Sequence, residues 1–159
     1  NTDLFYSKDY KYQVDVPTKE FHDALIALSN VRKEDSIEDG FYIRLENNKL
    51  ILRAIGENNL LKTQPNIDKT KSSLLTKEID VEYSNSTNYI GLPQVIILKI
   101  LESITTDMVR LSLIDVNEGI VKLNPLPKQN ERVVYSYTIV VAPFTLEEHE
   151  KKWLLDYQV

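Results

Sequence analysis

Cysteine is absent from the 159 residues, which removes disulfide frameworks and thiolate metal sites from consideration. Glycine is scarce, with four in the chain, and neither GxGxxG nor GxxxxGK occurs, so no glycine-rich loop can cradle a phosphate. The two histidines, His22 and His149, fall in different halves. His149-Glu150 opens like a zinc-protease helix, but Trp153 stands where the second histidine is needed, and one imidazole with one carboxylate does not close a zinc shell. His22, beside Asp23 in a helical pattern, reads as a polar surface position. Asp115 lies just past a strand, yet Asn117 and Gly119 follow it and mark a turn. No nucleophile, base and orienting group recur at a recognisable spacing. The expectation is a non-enzyme with no catalytic residue, metal or cofactor.

Long hydrophobic runs are also missing. Nothing approaches the roughly 18 apolar residues of a membrane helix, and no basic-then-apolar leader is present. A cytoplasmic protein without a membrane partner is expected. Asn1 opens the chain in place of methionine, which fits a trimmed chain or a domain cut from something larger. Positive charge is in deficit, with a formal net charge of −5. A self-sufficient reader of duplex DNA presents a strongly basic face, so any DNA contact here must use a local basic stripe or several copies.

What the chain does have is a pattern that occurs twice. Each copy runs strand, short apolar helix opened by proline, then a ladder of alternating strands. The first reads YKYQVDVPTKEFHDALIALSN, then GFYIRLENNKLILRAI; the second reads TNYIGLPQVIILKILESI, then MVRLSLIDVNEGIVKLNP, and closes with YSYTIVVAPFTL. Pro17 and Pro93 open the helices, where a missing N–H costs little. Phe21, Leu25 and Leu28 space one helical face. The second helix, with Val95, Ile96, Ile97, Leu98, Ile100, Leu101 and Ile104, is apolar nearly all round and is expected to be sandwiched. Asn47-Asn48 predicts a hairpin turn; Asn59–Thr63 and Ile79–Tyr83 read as further strands. Arg44, Lys49 and Arg53 lie on strands and read as a solvated face. The organisation is an arm over 1–9, one α+β domain over 10–146 with pseudo-symmetric halves at about 10–83 and 88–146, and a helical tail over 147–159.

The ordered landmarks LILRAIGENN, KEIDVEYSNSTNYIGLPQVIILKILESI, TTDMVRLSLID and YTIVVAPFTL resemble the C-terminal domain of the bacterial DNA polymerase III beta subunit, the sliding clamp. FHDALIALSNVRKED and GFYIRLENNKL are compatible with its first helix and following strand pair, so the resemblance covers roughly residues 12–146. It implies domains of two β-α-β-β-β halves, with sheets outside a ring and helices lining its bore. Double-stranded DNA would be held by topology, without base readout. The resemblance also implies a partner-peptide pocket beside the closing strand, at Val140, Val141, Ala142, Pro143 and Phe144. Ile139 and Val141 can equally alternate into a sheet core. Lys19, Arg32, Lys33 and Lys99 are the candidates to face DNA, although Glu20, Asp23 and Glu102 share their helices.

The chain departs from that pattern in places. A family chain repeats the domain, and here there is room for one; ring closure would need a homo-oligomer or sister domains. Ala142-Pro143 replaces methionine-proline, and a tail follows Leu146. Trp153, Leu154 and Leu155 in that tail could plug the pocket or form a plain helix packed on the sheet. Two readings stay open: a clamp-like scaffold that supports processivity and binds DNA polymerase or other clamp-binding proteins, and a clamp-derived interaction module that has lost ring and DNA.

Overall fold

The structure, a computed structural model, describes residues 12–29, 40–56, 70, 73–113, 121–127, 138–143 and 145–157. Strand β1 (Tyr12–Pro17) runs straight into helix α1 (Thr18–Leu28), followed by β2 (Gly40–Glu46), β3 (Lys49–Ile55) and β4 (Leu74–Asp80). The second half repeats this order with β5 (Ile90–Pro93), α2 (Gln94–Ser103), β6 (Met108–Leu113), β7 (Val121–Leu126) and β8 (Ile139–Val141). A last helix, α3 (Glu148–Asp156), follows.

The strands form two antiparallel sheets, ordered β1-β6-β7-β8 and β4-β3-β2-β5. Each sheet takes its first-named or last-named edge strand, β1 or β5, from one half and its other three strands from the other half. Exchanging β1 with β5, β2 with β6, β3 with β7 and β4 with β8 carries one sheet onto the other, so the repeat is a true pseudo-twofold. Neither half can complete a sheet alone, which makes the two halves one cooperative unit.

The helices obey the same symmetry. Pro17 and Pro93 are the N-caps of α1 and α2, with extended backbone and no side-chain cap. Other bonds hold these helix starts: the Thr18 N–H donates to Asp107 O at 2.8 Å, and Gln94 Nε2 donates to Gly40 O at 3.3 Å. Phe21, Leu25 and Leu28 on α1 and Ile97, Leu98 and Leu101 on α2 bury into one core with the inner faces of both sheets. The helices lie side by side, and His22 Nε2 of α1 comes 3.6 Å from Glu102 Oε1 of α2.

Three expectations change. Helix α2 is not sandwiched: Val95 and Ile96 are 41% and 51% exposed, because α2 packs on sheet and α1 along one face and nothing among the described residues covers the other. The strand read at Ile79–Tyr83 is Leu74–Asp80, and Val81 and Tyr83 lie beyond its end. The chain there leaves the ladder to bond the tip of the β2–β3 hairpin, where Val81 N–H donates to Asn48 O at 3.1 Å and Asn48 N–H to Tyr83 O at 2.8 Å. Asn47 and Asn48 form the predicted turn, with φ of 43° and 63°, the left-handed pair a two-residue hairpin needs. The third change is at Arg44 and Arg53, which are partly buried rather than solvated. The strand read at Asn59–Thr63 falls outside the described residues.

Candidate functional site

The closing strand β8 is a free edge among the described strands, paired on its other side with β7 through Val121↔Val141 and Leu123↔Ile139. Asn124 Nδ2 donates to Thr138 Oγ1 at 2.6 Å and fixes the strand's entry. Alternation then sets the side chains. Val141 is buried in the main core and Ile139 packs against it, whereas Val140 is half-buried, Ala142 exposed and Pro143 half-buried. Of the five positions singled out here, Val140, Ala142 and Pro143 offer surface; Phe144 lies outside the described residues.

The shared outer surface of α1 and α2 carries Lys19 and Lys99, both exposed. Glu20, Asp23 and Glu102 are exposed on the same two helices, as are the apolar Ile26, Val95 and Ile96. Its described part is therefore mixed in charge with an apolar portion. Arg32 and Lys33 lie outside the described residues.

A third surface escaped the sequence reading. Arg44 and Arg53 do not form a solvated face, because α3 packs on the outer side of the β4-β3-β2-β5 sheet. Leu154 is fully buried there with Tyr42, Ile51, Leu74 and Tyr89, and Trp153 and Tyr157 pack against the cluster. Of the two readings of the tail this is the packed helix; Leu154 does not enter the cluster that holds Val141. Arg53 donates from its guanidinium to the carbonyl oxygen of Leu154 and, at 3.1 Å, to that of Tyr157. A cation thus sits on the last turn of α3, where the orphan carbonyls and the negative end of the helix dipole favour it.

Tyr89 lies between the two arginines, with the Arg44 and Arg53 guanidinium carbons 5.7 and 5.6 Å from its ring centre. Burial pushes its phenol above the ordinary value, although both cations pull the other way. Arg44 Nε also donates to Thr87 O at 2.9 Å. Lys49, by contrast, is solvated and pairs with Asp80. The signal available in sequence was the alternation of Tyr42, Arg44, Ile51 and Arg53 on one strand face, too apolar for open water.

At the other end of α3, Glu147, His149 and Glu150 come together. All three are already engaged, since Glu147 and Glu150 form a reciprocal capping box and His149 Nδ1 lies 3.2 Å from Glu147 Oε2. The grouping is accounted for by helix initiation. No described helix is long and apolar enough to cross a membrane.

No protein-family model and no curated protein matches the chain. Solved structures do. The DNA polymerase III beta subunit of Thermotoga maritima superposes with a TM-score of 0.67 at 17% identity, over 92% of this chain and 34% of that one. The DNA polymerase sliding clamp of Caulobacter crescentus gives 0.67 at 11% identity, over 92% and 33%. The DNA polymerase III beta subunit of Pseudomonas aeruginosa gives 0.62 at 20% identity, over 87% and 32%. The chain has the fold of one sliding-clamp domain. It spans about a third of the length of those clamps, and at these identities the likeness is one of fold.

Proposed function

We propose that this domain is a non-enzymatic, clamp-type scaffold: one unit of a ring that retains duplex DNA without reading its sequence and recruits DNA polymerase or other clamp-binding proteins beside β8. The observation that carries this reading is the clamp-domain fold combined with edges at β4 and β8 that no described strand pairs, and which belong to different sheets. An edge strand exposes unpaired N–H and C=O groups that seek a partner. Pairing β4 of one unit with β8 of the next is a head-to-tail contact, which closes into a ring when the rotation permits. The sister units would be further copies or further domains. Lys19 and Lys99, with Arg32 and Lys33, would face the phosphates, and Val140, Ala142 and Pro143, with Phe144, would contribute to a peptide site over the buried Val141.

The test is solution mass together with DNA topology. A ring-sized oligomer retained on nicked circular DNA, but lost once the circle is linearised, supports encirclement. A monomer that ignores DNA even at low salt overturns it for the isolated chain. The second reading is an interaction module without ring or DNA. It is favoured by the helix surface itself, where two described lysines face three carboxylates beside exposed Ile26, Val95 and Ile96. Phosphate contacts are built from clustered cations and are salt-dependent, so salt-independent partner binding through this surface would support the module.

A further inference from the structure

A groove of about 710 Å³ lies between edge strand β1 and the chain leaving β4. β1 pairs with β6 from Tyr12↔Leu113 to Pro17↔Met108, and its other side faces no described strand. That side presents a row of backbone donors and acceptors. Edge strands are usually guarded by charge, proline or a covering segment. Here the one charge on β1, Asp15, is held by Arg110 through Nε at 2.8 Å and a second bond at 3.3 Å, and Pro17 stands only at the strand's end.

The opposite wall is built in advance. Asp80, Val81 and Glu82 form it, and the hairpin tip pins it: Val81 N–H bonds Asn48 O, and Tyr83 N–H bonds Asn48 Oδ1 at 3.0 Å. Among the described residues the charge of the lining is one-sided, with the carboxylates of Asp15, Asp80 and Glu82 against the guanidinium of Arg110. Glu82 is exposed and makes no ion pair among the described residues. Among the described residues Asp80 pairs with the solvated Lys49. The floor is partly apolar, with Val14 buried beneath it and Met108 alongside.

We propose that this groove receives an extended basic peptide segment of a partner protein as a strand added to β1. Backbone pairing along Gln13–Val16 supplies affinity, and lysine or arginine side chains reaching Glu82 and Asp80 supply selectivity, as in β-strand addition generally. A matching segment is about five residues, or ~17 Å. The site is separate from β8 and shares with β4, the other edge proposed to close a ring, only its last residue, Asp80.

The experiment uses the full chain and two labelled synthetic heptapeptides, one alternating lysine with valine and one alternating glutamate with valine. Fluorescence anisotropy at low salt is expected to show binding of the lysine peptide alone. Glu82→Lys and Asp80→Lys, both at exposed positions, are each expected to weaken it about tenfold, the loss of one favourable charge contact and gain of a repulsive one. In amide NMR spectra the Gln13 and Asp15 signals are expected to shift and their exchange to slow. Equal binding of both peptides, no binding, affinity unchanged by the two charge reversals, or shifts confined to α1 and α2 would each overturn the proposal.

Discussion

Arg53 and Leu154 stand 101 positions apart and are joined by a hydrogen bond from the guanidinium to the Leu154 carbonyl. The bond ties the centre of a core strand to the last turn of the final helix. Arg53 also donates to Tyr157 O and packs over the Tyr157 ring at 5.8 Å. One side chain thus holds both the end of α3 and the residue that follows it.

Removing that side chain should release the helix without unfolding the domain. Hydrogen bonds to a charged group contribute about 1.5–3 kcal/mol, comparable to what a nine-residue helix with a single fully buried side chain can gain from packing. Trp153 is the only tryptophan in the chain and reports on docking. Arg53→Ala and Leu154→Ala should both shift its emission to the red and speed tryptic cleavage at Lys151 and Lys152. Lys49→Ala, whose pair is solvated, should do neither. Unchanged emission in Arg53→Ala would show that the cap does not hold α3.

The periodicity of Val14 and Val16, and of Phe21, Leu25 and Leu28, carried the first strand and helix because a one-sided core imposes its period on the sequence. The doubling of that pattern carried the pseudo-symmetry. The exchange of β1 and β5 between sheets was not legible, since pairing partners leave no mark on a single strand. Arg44 and Arg53 misled for a related reason. A guanidinium on a strand face looks solvated until another element, here α3, supplies carbonyls and rings to cover it. Val95 and Ile96 mislead in the opposite sense, because an apolar residue on a helix does not by itself bring cover to its side. The surface positions Val140, Ala142 and Pro143 came from likeness to a family pattern; local chemistry alone would not have chosen them.

The two faces of α2 should respond in opposite ways to mutation. Val95→Lys and Ile96→Lys change exposed positions and should alter stability within about 0.5 kcal/mol. Ile97→Ala and Leu101→Ala remove fully or nearly fully buried side chains and should cost about 2–5 kcal/mol each. Urea denaturation separates the two outcomes. Large losses at Val95 or Ile96 would mean that another element covers that face.

Tyr89 makes stability depend on alkaline pH. Its phenol is held above the ordinary value of 10.0 chiefly by burial, against the pull of Arg53 and Arg44. Below pH 10 the phenol is protonated in both the folded and unfolded states, so its contribution is fully present. As pH rises past 10 the unfolded chain releases this proton first, and stability falls until the folded-state pKa is passed. Tyr89→Phe removes this component. The wild-type urea midpoint should therefore drop between pH 9 and pH 11 by more than that of Tyr89→Phe. Parallel profiles would place Tyr89 in contact with solvent.

The hairpin tip offers a test that separates backbone conformation from hydrogen bonding. Asn48 has a φ of 63°, and its Oδ1 accepts the Tyr83 N–H at 3.0 Å. Asn48→Gly keeps the left-handed conformation at little cost but loses the acceptor. Asn48→Ala loses both, because a Cβ without a polar group has no compensation in that region. The glycine variant should be near neutral, with a relaxed backbone offsetting about 0.5–1.5 kcal/mol of hydrogen bond. The alanine variant should be less stable by a further ~1–2 kcal/mol. If glycine proves as damaging as alanine, the Asn48–Tyr83 bond carries the whole effect. The wall formed by Val81 and Glu82 should then loosen in both variants, visible as faster amide exchange at Val81 and Tyr83.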